Sequence, residues 1–168
     1  GVSWAKALGG GFPIGGFWIS DRAIDESGTE LSSIMDPGSH GSTYGGNPLA
    51  ATVSLAVLRE VVSEGLPERA HRLGTEIRAE IESWNLPVVQ GVRGLGLLLG
   101  IGLNPEMVDA PGGKTIASVV VESLRQEGLL SVPAGPETVR LLPPLNVSEE
   151  EVQQALAIIR RVLKTYVK

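Results

Sequence analysis

Lys6 is the only lysine in the first 113 residues, and it stands between Trp4-Ala5 and Ala7-Leu8. An amine among small and apolar neighbours is disfavoured as the ammonium and can attack a carbonyl. The same pattern fits a surface lysine whose stem lies along a nonpolar patch. The run Gly9-Gly10-Gly11-Phe12-Pro13-Ile14-Gly15-Gly16 follows. It lets backbone come close to a bound group, and a tight turn between strands would need the same glycines. It matches neither the phosphate-loop nor the dinucleotide glycine spacing, so a nucleotide site is poorly supported. Further on, His40-Gly41-Ser42-Thr43-Tyr44-Gly45-Gly46-Asn47-Pro48 offers hydroxyls and flexible backbone just before a helix start. Such groups suit a phosphate; a capped helix start with a glycine hinge reads the same way. Arg140 lies between Val139 and Leu141, ahead of Pro143-Pro144. A guanidinium inside an apolar strand needs a partner, and its planar fork matches a carboxylate, either of a ligand or of a structural ion pair. Arg93, before Gly94, poses the same choice with less support.

The elements that must position these groups follow from periodicity and punctuation. Phe17-Trp18-Ile19-Ser20 reads as a short buried strand. Residues 36–48, with four glycines and two prolines, read as a long loop of the kind that carries function. Pro48 suits a first helical position. Leu49, Val53, Leu55, Val57, Leu58, Val61 and Val62 then cover more than one face, which predicts a helix buried in a large core. Gly65 stops it and Pro67 opens an amphipathic helix with Ala70, Leu73, Ile77, Ile81 and Trp84 inward. Two extended segments, 88–93 and 95–103, carry glycines at 94, 96, 100 and 102, a sign of bulges or close backbone approach. A helix is predicted over 114–127, with short strands at 129–132 and 139–142 around Pro133-Ala134-Gly135-Pro136. Ser148 with Glu151 forms a capping box for a last helix. The order is α/β, with a soft boundary near 64–67. Residues 1–47 look incomplete, with one strand and no partner strands.

Composition narrows the function. The 168 residues hold 14 basic and 19 acidic side chains, for a net charge of −5. That argues against a broad nucleic-acid surface. The absence of cysteine excludes disulfides and thiolate zinc, and two histidines leave little for any metal. Gly94 to Leu103 is the longest mostly apolar run and falls well short of the roughly 20 residues of a membrane span. No signal peptide is visible, and a reducing, cytoplasmic setting fits. The first residue is Gly1 rather than Met, which suggests a piece of a longer chain.

Four motifs in order carry a family resemblance. Ser3-Trp4-Ala5-Lys6-Ala7-Leu8-Gly9-Gly10-Gly11-Phe12-Pro13-Ile14-Gly15 resembles the pyridoxal-phosphate lysine segment of class III aminotransferases. Gly38 to Ala50 is similar to that family's next loop. Val92-Arg93-Gly94-Leu95-Gly96-Leu97 and Pro133 to Leu145 are similar to two segments of its small domain. Gly16 stands where the family more often has alanine.

The resemblance implies a fold-type I α/β transferase dependent on pyridoxal 5′-phosphate. Residues 1–65 would be the C-terminal part of the cofactor-binding large domain, and residues 66–168 the small α+β C-terminal domain. By the same resemblance Lys6 would bond to the cofactor and move the proton during catalysis. Thr43 would contact the cofactor phosphate from the neighbouring subunit of a homodimer. Ser42 would lie beside it, at the phosphate or the amino-acid substrate, and Arg140 would hold the substrate carboxylate. Within the family the segments are nearest to enzymes acting on acetylornithine. The implied reaction is N-acetylornithine with 2-oxoglutarate, giving N-acetylglutamate semialdehyde and glutamate, in arginine biosynthesis. Ornithine, succinylornithine or another ω-amino acid are the alternative donors.

The family's acidic partner for the pyridine nitrogen, its glycine-threonine phosphate turn, its ring-stacking aromatic and a further substrate arginine would all precede Lys6. Only five residues do so in this chain. The chain is therefore expected to be the C-terminal part of such an enzyme and inactive alone. A reading of another class is a non-catalytic folded module that serves structure or interaction. A phosphate- or nucleotide-binding protein rests on the glycine loops only.

Overall fold

The computed structural model describes residues 1–35, 38–39 and 41–167. They fall into two units, Gly1–Glu64 and Gly65–Lys168.

In the first unit, β1 (Val2–Trp4) and β2 (Gly16–Trp18) pair antiparallel, Val2 opposite Trp18 and Trp4 opposite Gly16. Two strands thus stand where one was expected; β1 is too short to show alternation. Among the described residues the two strands form a sheet of their own. Phe17 and Trp18 are exposed, against the expectation of a buried strand, because no third strand extends that sheet among the described residues. After a short helix α1 (Leu31–Ile34) comes α2 (Pro48–Ser63), with Pro48 in its first turn and Asn47 capping it by accepting from the Ala50 amide at 2.9 Å. Only one side of α2 is covered. Ala50 and Ser54 are buried, while Leu49, Leu55, Leu58 and Val62 stand open. The all-round apolar pattern therefore does not become an all-round buried helix within this unit.

The second unit closes its own core. Its helices are α3 (Leu66–Ser83), α4 (Ile116–Gln126) and α5 (Glu149–Lys164). Its strands are β3 (Val89–Leu95), β4 (Leu98–Leu103), β5 (Val132–Pro133) and β6 (Thr138–Leu141), in the antiparallel order β3-β4-β6-β5. Alternation sets the faces. Leu99, Ile101 and Leu103 of β4 and Val139 of β6 join Leu73, Ile77 and Ile81 of α3, Val120 and Leu124 of α4, and Leu156, Ile159 and Leu163 of α5 in one buried cluster. Burying a side chain of this kind contributes roughly 1.5–3 kcal/mol.

Helix ends obey local chemistry. Ser148 and Glu151 form the expected capping box, and Thr115 with Ser118 forms another that delays α4 to Ile116. The strand expected over 129–132 shrinks to Val132–Pro133, because Leu129 donates its amide to the Leu124 carbonyl at 2.9 Å and is used to close α4. Gly74 lies where α3 meets the β3–β4 turn. A Cβ there would come within 1.9 Å of the Gly96 carbonyl oxygen.

Candidate active site

Lys6 follows β1 after one residue, Ala5, and begins a single 3-10 turn, Lys6–Gly9. Its φ is +53°, in the left-handed region that a lysine rarely occupies. Strain of this kind costs about 1–3 kcal/mol and concentrates at functional positions. The turn is held by amide donation from Leu8 to the Ala5 carbonyl at 3.2 Å and from Gly10 to Ala7 at 3.0 Å. It packs on α2, where Val57 lies 2.9 Å from the place a Cβ of Gly10 would take. Lys6 itself is exposed, as are Trp4, Ala5 and Ala7, so the apolar flanks that were expected to surround the amine do not bury it in this unit.

Ser42 and Thr43 are exposed in the turn that enters α2. Ser42 accepts the Gly45 amide at 3.3 Å through its carbonyl, and the Tyr44 carbonyl accepts both the Asn47 amide and its side-chain amide. The Ser42 and Thr43 hydroxyls make no hydrogen bond among the described residues, and none joins them to Lys6. Lys6 and the two hydroxyls thus share one unit with no hydrogen bond between them, while Arg140 belongs to the other. His40, with Asp36 and Pro37 of the same loop, and Lys168 lie outside the described residues.

Arg140 lies in β6, opposite Gly100 of β4 and Val132 of β5, and is exposed on the face away from the helices. Arg93 of β3 is also opposite Gly100, so the two arginines flank a glycine in one row across the sheet. Thr138, two residues before Arg140 and on the same face, is buried and accepts a hydrogen bond from Arg93 Nη2 at 2.7 Å. Neither arginine meets a carboxylate within ion-pair distance among the described residues; the four ion pairs there use Arg72, Arg125 and Arg161. A structural ion pair for Arg140 is thus not formed among them. Thr138 was not singled out from the sequence. Its signal was the two-residue spacing to Arg140, which puts both on one face of a strand.

A family model described as aminotransferase class-III matches residues 2–163. The chain belongs to this family. It is 42% identical over 158 residues to an ornithine aminotransferase of Exiguobacterium sp., covering 94% of this chain and 35% of the relative. It is 39% identical over 162 residues to an acetylornithine aminotransferase of Mycobacterium leprae, covering 96% of this chain and 36% of the relative. A solved ornithine aminotransferase from Toxoplasma gondii, described with partial occupancy of PLP at its active site, superposes with a TM-score of 0.79 at 30% identity, covering 98% of this chain and 36% of that one. The chain therefore spans about a third of the length of these relatives. Its α/β fold is that of the class III aminotransferases.

The residues of this class III chain fit a phosphorylated aldehyde cofactor in kind. Lys6 offers an exposed amine on strained backbone, with nothing within 4 Å of a Cβ at Gly11 to crowd the adjoining loop. Ser42 and Thr43 offer two uncommitted hydroxyls of the type that binds phosphate. Among the described residues no three His, Asp or Glu side chains converge as a metal site would require, and no helix is long and apolar enough to cross a membrane.

Proposed function

We propose that the full-length protein carrying this chain is a pyridoxal-phosphate aminotransferase acting on N-acetylornithine and 2-oxoglutarate, as a cytoplasmic homodimer with the site shared between subunits. The observation that carries this reading is Lys6: the one lysine before residue 114, on strained backbone beside a glycine-rich loop, in a chain of the class III family. The cofactor supplies the electron sink that stabilises a carbanion. The chain's own residues do the rest. Lys6 would hold the cofactor covalently and, once released from it, carry the proton at its Nζ as general acid and base. Thr43 and Ser42 would hold the phosphate and fix the ring's position, the contact coming from the partner subunit. Arg140 would take the substrate carboxylate bidentately and orient the amine.

Borohydride reduction after adding pyridoxal phosphate, followed by peptide mapping, tests the reading. An adduct confined to Lys6 supports it. In the full-length protein, adducts scattered over Lys114, Lys164 and Lys168 would sink it. Lys6→Ala should cut turnover there by at least about 10³-fold, the scale of losing an essential nucleophile and base. Rates on acetylated and free ornithine decide the donor, since both kinds of relative are comparably similar. The 168-residue chain by itself is expected to show no turnover.

A further inference from the structure

Arg93 donates to Thr138 rather than to any acid, and it does so across a gap in the sheet. Both Arg93 and Arg140 are opposite Gly100, so the place between their stems holds no side chain. A Cβ at Gly100 would lie 2.9 Å from Thr138 Cγ2 and 3.8 Å from Arg93 Cγ. The glycine is what lets the two groups meet over β4. Its φ is not in the left-handed region, so the constraint there is space and not backbone. Thr138 and Arg140 are separated by two residues of one strand, about 7 Å along its axis. The Arg93 guanidinium, bonded at Thr138, therefore shares the outward face of β6 with Arg140, two residues along, and carries the same charge.

That proximity acts on Arg140 in two ways. The Thr138 hydroxyl already accepts from Arg93, so it is a poor acceptor for Arg140. Repulsion between two guanidiniums also opposes Arg140 folding down onto the sheet. We infer that Arg93 is a positioning residue, acting through Thr138 over Gly100 to keep the Arg140 fork off the sheet and free for a substrate carboxylate. This rests on the reading of Arg140 as the carboxylate clamp, and it adds a requirement that the sequence motif around Arg140 does not contain.

Two measurements separate the inference from the catalytic reading. The first is binding without turnover: glutarate is titrated into the full-length protein by calorimetry, with no amino donor present. Arg93→Gln, Thr138→Val and Gly100→Ala should each weaken the midpoint about tenfold, the scale of one charge-assisted hydrogen bond. Thr138→Ser keeps the oxygen and should match the parent. The second is kinetics in the cofactor-loaded full-length protein, where the same three changes should raise KM for the 2-oxo acid by more than they lower kcat. The double variant Arg93→Gln/Thr138→Val should be no worse than either single one, because both remove one contact. Unchanged glutarate binding in Arg93→Gln and Gly100→Ala overturns the inference. So does additivity in the double variant, or failure of Thr138→Ser to match the parent. Loss of turnover in the full-length parent protein with glutarate binding and its variant pattern intact would refute the aminotransferase reading and leave the Arg93 inference standing.

Discussion

At the scale of single residues, the chain separates groups that do chemistry from groups that do geometry. Arg140 is proposed as one of the former. Arg140→Lys keeps the charge but loses the planar fork, so the full-length protein should show KM for carboxylate substrates raised roughly tenfold or more while pyridoxal phosphate still binds. An unchanged KM would mean the carboxylate is held elsewhere. Asp25 is the latter. Its carboxylate accepts from the Ser27 hydroxyl at 2.7 Å and from the Thr29 amide at 2.9 Å. These bonds, the Ser27 one foremost, lower its pKa from 3.8 to about 2. A depressed carboxylate stabilises the fold fully above its unfolded value and loses that contribution as pH falls through the folded one. The turn should therefore hold down to about pH 4 and loosen toward about pH 2, followed through the Thr29 amide signal; a midpoint near 3.8 would mean these bonds do not form in solution. Lys6 stood out as a candidate by its isolation and its glycine neighbours. Its left-handed backbone was not, since φ at a non-glycine residue leaves no compositional trace. Thr138 was passed over because a threonine in a strand is ordinary until its neighbour across a glycine is known.

At the scale of elements, the helices were read more faithfully than the strands. α3 buries Ala70, Leu73, Ile77 and Ile81 as its period requires, and the Ser148–Glu151 box opens α5 where it was expected. Such features are local and need no knowledge of the rest of the fold. The glycines at 94, 96, 100 and 102 signalled close approach but not its partners, which depend on how β3 and β4 register with β6. Two tests belong at this scale. Ser148→Ala removes a hydroxyl that accepts the Glu151 amide at 3.1 Å and should cost about 1 kcal/mol in denaturant unfolding. Arg69 of α3 donates to the carbonyls of Leu145 and Val147, and so ties down the loop that follows β6 and its Arg140. Arg69→Met should destabilise by about 1.5–3 kcal/mol. A loss no larger than that of a surface substitution would show that the loop holds without it.

At the scale of the whole molecule, the two units are built on different terms. The core cluster of buried apolar side chains lies within Gly65–Lys168. The unit Gly1–Glu64 contributes nothing to that cluster and exposes Phe17 at 60%, Leu49 at 62%, Val62 at 76% and Tyr44 at 80%, with Trp4, Trp18, Leu55 and Leu58 also open, while Leu95, Leu130 and Leu142 stand open on the second unit. This is why the apolar pattern of α2 pointed to a large core: it specifies burial against surfaces that these 64 residues do not themselves provide. Apolar exposure on this scale favours association. Light scattering on the 168-residue chain should therefore show concentration-dependent assembly, whereas a segment of residues 65–168, which holds the whole buried cluster, should unfold in a single cooperative transition. Replacing Phe17, Leu49 and Val62 together with polar residues should suppress the assembly without moving that transition, because none of the three belongs to the buried cluster. If the 168-residue chain stayed monomeric at high concentration, the open faces of β2 and α2 would have to be covered by its own residues, and the first unit would then pack in solution without the exposed apolar surface that drives the assembly.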